Sequence, residues 1–182
     1  SIVYVQTRNE AERIADRLRQ KGVDAAHYHA GLTAERRADV HDAFQADRLP
    51  VVVATVAFGM GIDRSDVRCV IHATMPKSLE HYQQEAGRAG RDGLVAECVL
   101  LHSAADAVRW QGLIERSAEE AVLQGANEAT VAENRDTQLE FLRETTGWCR
   151  STRCRHRSLV EYFGHDWTAV SYTHLTLPTI VG

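Results

Sequence analysis

The sequence predicts an α/β fold, a mostly parallel sheet flanked by helices, followed by a smaller all-helical unit. Three observations predict it. Over residues 1–102, short runs rich in Val and Ile alternate with amphipathic helical stretches, and strands apolar on both faces with helices between them form parallel sheets covered on both sides. From about residue 104 the strand-like runs give way to long mixed-charge helical patterns. No apolar run approaches the roughly 20 residues a membrane helix needs, so no membrane partner is expected.

The elements follow in order. "SIVYV" (1–5) reads as the first strand, followed by a helix near 9–21 whose start carries a capping box, Thr7 with Glu10 three residues on. "AAHYHA" (25–30) is the second strand, and Thr33 opens a helix over 34–46. "VVVAT" (51–55) and "RCVIHAT" (68–74) are the third and fourth strands, a helix near 78–88 comes next, and "AECVLLH" (96–102) is the fifth strand. Parallel sheets take ligands at the carboxyl ends of their strands. The segments that leave those ends, "TRNE", "HAGLT", "TVAFGMGID" and "TMPKS", collect hydroxyls, glycines and helix starts, and exposed amides at helix starts suit phosphate. Taken singly, Thr7 and Thr33 need be no more than caps, and His29 reads equally well as a satisfied core or edge histidine.

Beyond residue 104, "AADAVRWQGLIERSAEEAV" and "ATVAENRDTQLEFLRETTGWC" are helical with a break at "LQGAN". "RSTRCRHRSLVEYFGHDW" then gathers Arg150, Arg153, Arg155, His156 and Arg157 with no acid among them. The expected division is residues 1–105, residues 106–169 and a tail over 170–182.

The chain has 182 residues and a net charge of -4, so bulk charge gives no argument for nucleic acid. Of its 21 basic residues only Lys21 and Lys77 are lysines, which favours forked, planar contacts to any bound anion. Four cysteines are too few and too scattered for a secreted disulfide scaffold. Cys69 and Cys98, inside strand-like runs, are expected in the core, and the expected location is cytoplasmic.

"HYQQEAGRAGRDG" (81–93) carries the chemistry. Glycines at 87, 90 and 93 alternate with Arg88 and Arg91, and each glycine costs a helix roughly 1 kcal/mol relative to alanine. Bare backbone permits close approach, and two guanidiniums three residues apart suit a polyphosphate held in a fixed position. From spacing alone, this is an anion site.

"QQEAGRAGRDG" resembles motif VI of the RecQ family of superfamily 2 helicases, and "VVVATVAFGMGIDRSDVRCVIH" resembles motif V. "IVYVQTRNEAERIADRL" is similar to motif IV and "YHAGL" to the short motif after it. The resemblance implies the second RecA-like domain of a motor that hydrolyses ATP with Mg2+ in a cleft between two domains. Arg91 matches the arginine finger and Arg88 its companion, groups that stabilise charge in phosphoryl transfer. Gln83, Asp63 and Gly61 match positions near the nucleotide, although Asp63 also reads as capping the turn "DRSD". Thr7, Arg8, His29, Gly31 and Thr55 match positions that track the DNA backbone, contacts that carry no base sequence information. The implied activity is ATP-dependent 3′–5′ DNA unwinding in repair and recombination, on single strands and duplex junctions.

Two motor motifs are absent from the sequence. Neither Lys21 nor Lys77 sits in the Gly-Lys-Ser/Thr of a P-loop, and no Asp-Glu-x-His string occurs. The resemblance assigns both to an N-terminal RecA-like partner domain, so this chain alone is expected neither to hydrolyse ATP nor to unwind DNA. Cys154 in "CRHRSLVEYFG" matches the first Zn2+ ligand of the family's zinc-binding module. The cysteine cluster expected after it does not occur, and a closed zinc site takes four ligands. Zn2+ is therefore expected in the intact protein and not here, where Cys154 reads as a buried thiol on an apolar helix. "VSYTHLTLPT" (170–179) resembles a translated library adaptor, and the tail is expected to carry no function. The alternatives are a stand-alone phosphate- or nucleic-acid-binding module without motor activity, and an RNA-directed superfamily 2 helicase.

Overall fold

The computed structural model describes residues 1–56, 58–59, 64–167 and 179–181, the last three by backbone alone. Five short strands, β1 (Ile2–Tyr4), β2 (Ala25–Tyr28), β3 (Val51–Ala54), β4 (Cys69–His72) and β5 (Glu97–Leu101), lie in the order β2-β3-β1-β4-β5. Every pairing is parallel, with Ile2 opposite both Val52 and Val70. A short strand β6 (Thr179–Val181) continues the sheet beyond β5, Val99 opposite Thr179. Apart from β6, the tail from residue 170 lies outside the described residues.

Successive side chains of a strand point to opposite faces, and that alternation sorts the core. Ile2, Tyr4, Val52, Ala54 and Val70 pack on one face with Phe58, Val67 and two residues of α2 (Ala34–Gln45), Val40 and Phe44. Val3, Val5 and Val53 face the other way, against Ala11 and Ala15 of α1 (Arg8–Gln20). With both faces covered, no strand needs a polar side, so these strands read as unbroken apolar runs.

The helix starts follow the sequence signals. Thr7 Oγ1 accepts from the Glu10 amide at 3.2 Å, while Glu10 Oε2 accepts from the Thr7 amide at 3.1 Å. Thr33 Oγ1 accepts from the Arg36 amide at 3.2 Å. Each bond satisfies a backbone donor that a helix leaves without a partner in its first turn.

The chain divides into two compact units. The sheet unit takes in Ser1–Thr74, Gln84–Leu101 and the strand at 179–181; the helical unit takes in Met75–Gln83 and, among the described residues, 102–167. The helical unit contains the first turns of α3 (Leu79–Ala86), then α4 (Ala104–Leu123), α5 (Glu128–Arg150) and α6 (Arg155–Tyr162). Its interior holds Met75, Leu79, Tyr82, Ile114, Leu142, Trp148 and Cys149. Tyr82 and Trp148 tilt against each other with ring centres 4.9 Å apart, and Trp110 Nε1 donates to the Met75 carbonyl at 2.8 Å.

Three sequence expectations need correction. Cys69 and Cys98 are half-buried and not fully buried, with Cys98 packed against the edge of the core. Cys154 is exposed, since it is the residue that caps α6 and not one of that helix's packed positions. The acid-free arginine run is partly offset from further along: Arg153 meets Glu161 at 3.1 Å and Arg157 meets it at 2.6 Å. Arg155 donates to the Cys149 carbonyl at 3.0 Å and lies over the Trp148 ring.

Candidate functional site

The glycine–arginine segment leaves α3 at Ala86 and continues as a series of turns to Gly93. Gly90 has φ +62, and a Cβ there would come within 2.9 Å of the Leu94 carbonyl oxygen. Side chains rarely adopt that conformation, and backbone on that side cannot give way. The turn is tied to the segment entering β4, with Gly90 N donating to Val67 O at 3.0 Å and Asp92 N to Ser65 O at 3.2 Å. Asp92 also pairs with Arg68. That neighbouring segment is itself held to α2, because Arg64 reaches Asp47, Asp66 and the Phe44 carbonyl.

On this framework the two arginines have different environments. Arg88 is half-buried, and its Nη2 lies 2.8 Å from where a Cβ of Gly59 would sit. Its guanidinium hydrogen-bonds the Tyr4 oxygen, and Tyr4 in turn donates to the Phe58 carbonyl at 3.0 Å. Burial raises the pKa of the Tyr4 hydroxyl, and the Arg88 charge works against that rise. Arg88 is thus seated in a notch made by Tyr4 and Gly59. Arg91 is exposed and donates from Nε to the Gly87 carbonyl at 3.1 Å, which fixes the base of its guanidinium. Beneath the turn, Glu85 Oε2 lies 2.9 Å from His72 Nε2 in the interior, with His72 stacked on Tyr4. One arginine is positioned from below and one is presented at the surface, an arrangement suited to gripping a polyanion that arrives from outside.

Gln83 is exposed on α3. Asp63 and Gly61 lie outside the described residues. At the carboxyl edge of the sheet, Thr7 is committed to its capping box. Arg8 is exposed, and a Cβ on Gly31 would lie 3.1 Å from Arg8 Nη1 and 3.2 Å from His29 Nδ1, so these three residues form one corner. His29 itself is only 3% exposed, with Nε2 3.1 Å from Glu12 Oε1. Its side chain faces inward, leaving Arg8 and backbone amides as the accessible groups there. Thr55, half-buried, follows β3, and its amide donates to the Tyr28 carbonyl at 3.2 Å. The fold therefore brings Thr7, Arg8, His29, Gly31 and Thr55 to one edge, while the arginine turn is tied to the segment that enters β4.

Sequence reasoning missed Tyr4 and Gly59. Gly59 lies in the quoted "FGMGI" two residues before Gly61, but the close approach of Arg88 that requires a glycine is visible only in three dimensions. Cys154 offers an exposed thiol, yet among the described residues it belongs to no group of three His, Cys, Asp or Glu side chains able to share an ion.

The helicase conserved C-terminal domain model matches residues 1–93, and the RecQ zinc-binding model matches residues 104–170. The chain belongs to the RecQ family of helicases. It is 45% identical over 163 residues to the ATP-dependent DNA helicase RecQ of Bacillus subtilis, covering 90% of this chain and 26% of that protein. It is 44% identical over 167 residues to the RecQ of Pasteurella multocida, covering 90% and 24%. The chain thus spans about a quarter of the length of these RecQ relatives. Among solved structures, the E. coli DEAD-box protein SrmB superposes with a TM-score of 0.54 at 29% identity, covering 61% of this chain and 65% of that one. The RecQ match contains the arginine turn, and the RecA-like sheet is shared more widely with DEAD-box proteins.

Proposed function

We propose that this RecQ-type chain forms, in the intact protein, the second RecA-like wall of an ATP-dependent DNA helicase moving 3′ to 5′ in DNA repair and recombination. Arg91 is the finger that meets the terminal phosphate, and Arg88 is its companion. Gln83, Asp63 and Gly61 border the nucleotide, and the edge bearing Thr7, Arg8, His29, Gly31 and Thr55 tracks the phosphates of single-stranded DNA leading from a duplex junction. A partner RecA-like domain supplies the P-loop lysine and the acidic residues for Mg2+, and a completed cysteine set including Cys154 takes Zn2+. On this reading its place of action is the cytoplasm.

The observation that carries the reading is the pair of unequal arginine environments, Arg88 seated on Gly59 beneath Tyr4 and Arg91 presented at the surface. A finger must be held in place before it can stabilise charge on a transferring phosphoryl group, and such a group is worth about 10³–10⁵ in kcat. The names of the RecQ relatives, which are ATP-dependent DNA helicases, support the substrate pair. In the intact protein, Arg91→Ala should reduce DNA-stimulated ATP turnover by about three orders of magnitude or more while single-strand binding stays within a few fold. Turnover that persists in the variant would remove Arg91 from this role.

A further inference from the structure

A second constellation of chemically capable side chains lies on the opposite face of the sheet from the arginine turn. His27 and His29 flank Tyr28 at the end of the edge strand β2, and spacing by two places both rings on the α1 side. The rings stack almost parallel, 5.3 Å apart at 9°. Glu12 of α1 meets them, with Oε1 3.1 Å from His29 Nε2. One ligand atom from each of Glu12, His27 and His29 lies within 4.8 Å of the others, the one such group among the described residues. His27 Nδ1 and His29 Nδ1 are both buried without a hydrogen-bond partner among the described residues. His29 presents Nε2 and not Nδ1 to Glu12, so of the two partnerless nitrogens only His27 Nδ1 is a candidate ligand atom, and a buried ring nitrogen without a partner is costly.

We propose that Glu12, His27 and His29 form a binding site for a divalent transition-metal ion of the Zn2+ class. Two imidazoles and one carboxylate make a donor set that tetrahedral zinc accepts with water in the fourth position. Ligand atoms at zinc bond lengths stand roughly 3.3 Å apart around a tetrahedron, and the Glu12–His29 pair is already near that separation. Closing the site takes a movement of the partly exposed His27. The two histidines come from β2 and the carboxylate from α1, so the ion would tie the first helix to the edge strand beside Arg8 and Gly31. This site shares no residue with the arginine turn and does not depend on how ATP is handled.

The test is a Co2+ titration of the chain followed by its visible absorption, with Zn2+ competition and thermal melting as second readouts. Cys154→Ser is carried throughout to remove the exposed thiol. The Cys154→Ser protein should bind one equivalent without a thiolate charge-transfer band, and Zn2+ should displace the Co2+ and raise Tm. Glu12→Gln and His27→Gln should each weaken binding by at least about tenfold and abolish the Zn2+-dependent rise in Tm, with metal-free melting close to the parent's. His27→Gln that retains full affinity overturns the proposal, as does loss of binding on Cys154→Ser or no binding at all by the parent.

Discussion

At the scale of single residues, the candidate site depends on two side chains being absent as much as on two being present. Gly59 leaves room for the far end of Arg88, and Gly90 adopts a φ of +62 with the Leu94 carbonyl close by. These differ in what a methyl group would displace. At Gly90 it meets backbone, whereas at Gly59 it meets a flexible guanidinium that swings away at little cost. Gly59→Ala should therefore leave Tm within a few degrees of the parent while lowering ATP turnover of the intact protein, measured side by side with Arg88→Ala. Turnover matching the parent would show that the seat of Arg88 is irrelevant to the chemistry. The cysteines allow a second residue-level prediction. Burial pushes the Cys98 thiol up to about 11 and the Cys149 thiol up to about 12. Both stay protonated in the folded state, so iodoacetamide at pH 8 should label Cys154 first, as read by peptide mass mapping. A raised thiol pKa contributes stability that is fully present below the ordinary value of 9.0 and is lost as pH rises from there through the folded-state value of about 12, so Cys149 should become reactive together with unfolding at high pH.

At the scale of elements, the strands and helices were legible because their signals are local. "TRNE" states its capping box outright, and the two-faced Val runs state a covered parallel sheet. Arg64, Arg68 and Asp92 were not legible as the ties that hold the arginine turn, because their partners lie in other elements: Arg64 reaches Asp47 across 17 residues and Arg68 reaches Asp92 across 24. Glu161 was not legible as the partner of Arg153 and Arg157 for a related reason. Glu161 sits one turn beyond Arg157 and becomes its neighbour only once α6 is helical. Within the helical unit, Trp148 of α5 touches Tyr82, lies under Arg155 and is 6% exposed. Its deletion leaves a cavity with little to fill it. Trp148→Ala should destabilise the helical unit by about 3–5 kcal/mol, measured by urea denaturation, and a loss below about 1 kcal/mol would mean the unit does not rest on this residue.

At the scale of the molecule, one sheet positions two separate groups of candidate site residues. Its carboxyl edge gathers Thr7, Arg8, Gly31 and Thr55, while the arginine turn is tied to the segment entering β4. The first was legible from the sheet rule and the second from the motif's wording. The inward orientation of His29 was legible from neither, since "YHAGL" does not say which face of β2 a histidine takes. Neither did the separate residues Glu12 and His27 announce a shared cluster, which exists only because α1 packs against β2. In the proposed motor, Arg91 reads the terminal phosphate and not the nucleotide as a whole. The measurement that tests it most directly compares binding of ADP with binding of ADP plus aluminium fluoride, a mimic of the phosphoryl group in flight, to the intact protein and to its Arg91→Ala variant. Unchanged ADP affinity with loss of the added affinity from the fluoride is the predicted result. Equal gains from the fluoride in both proteins would contradict it.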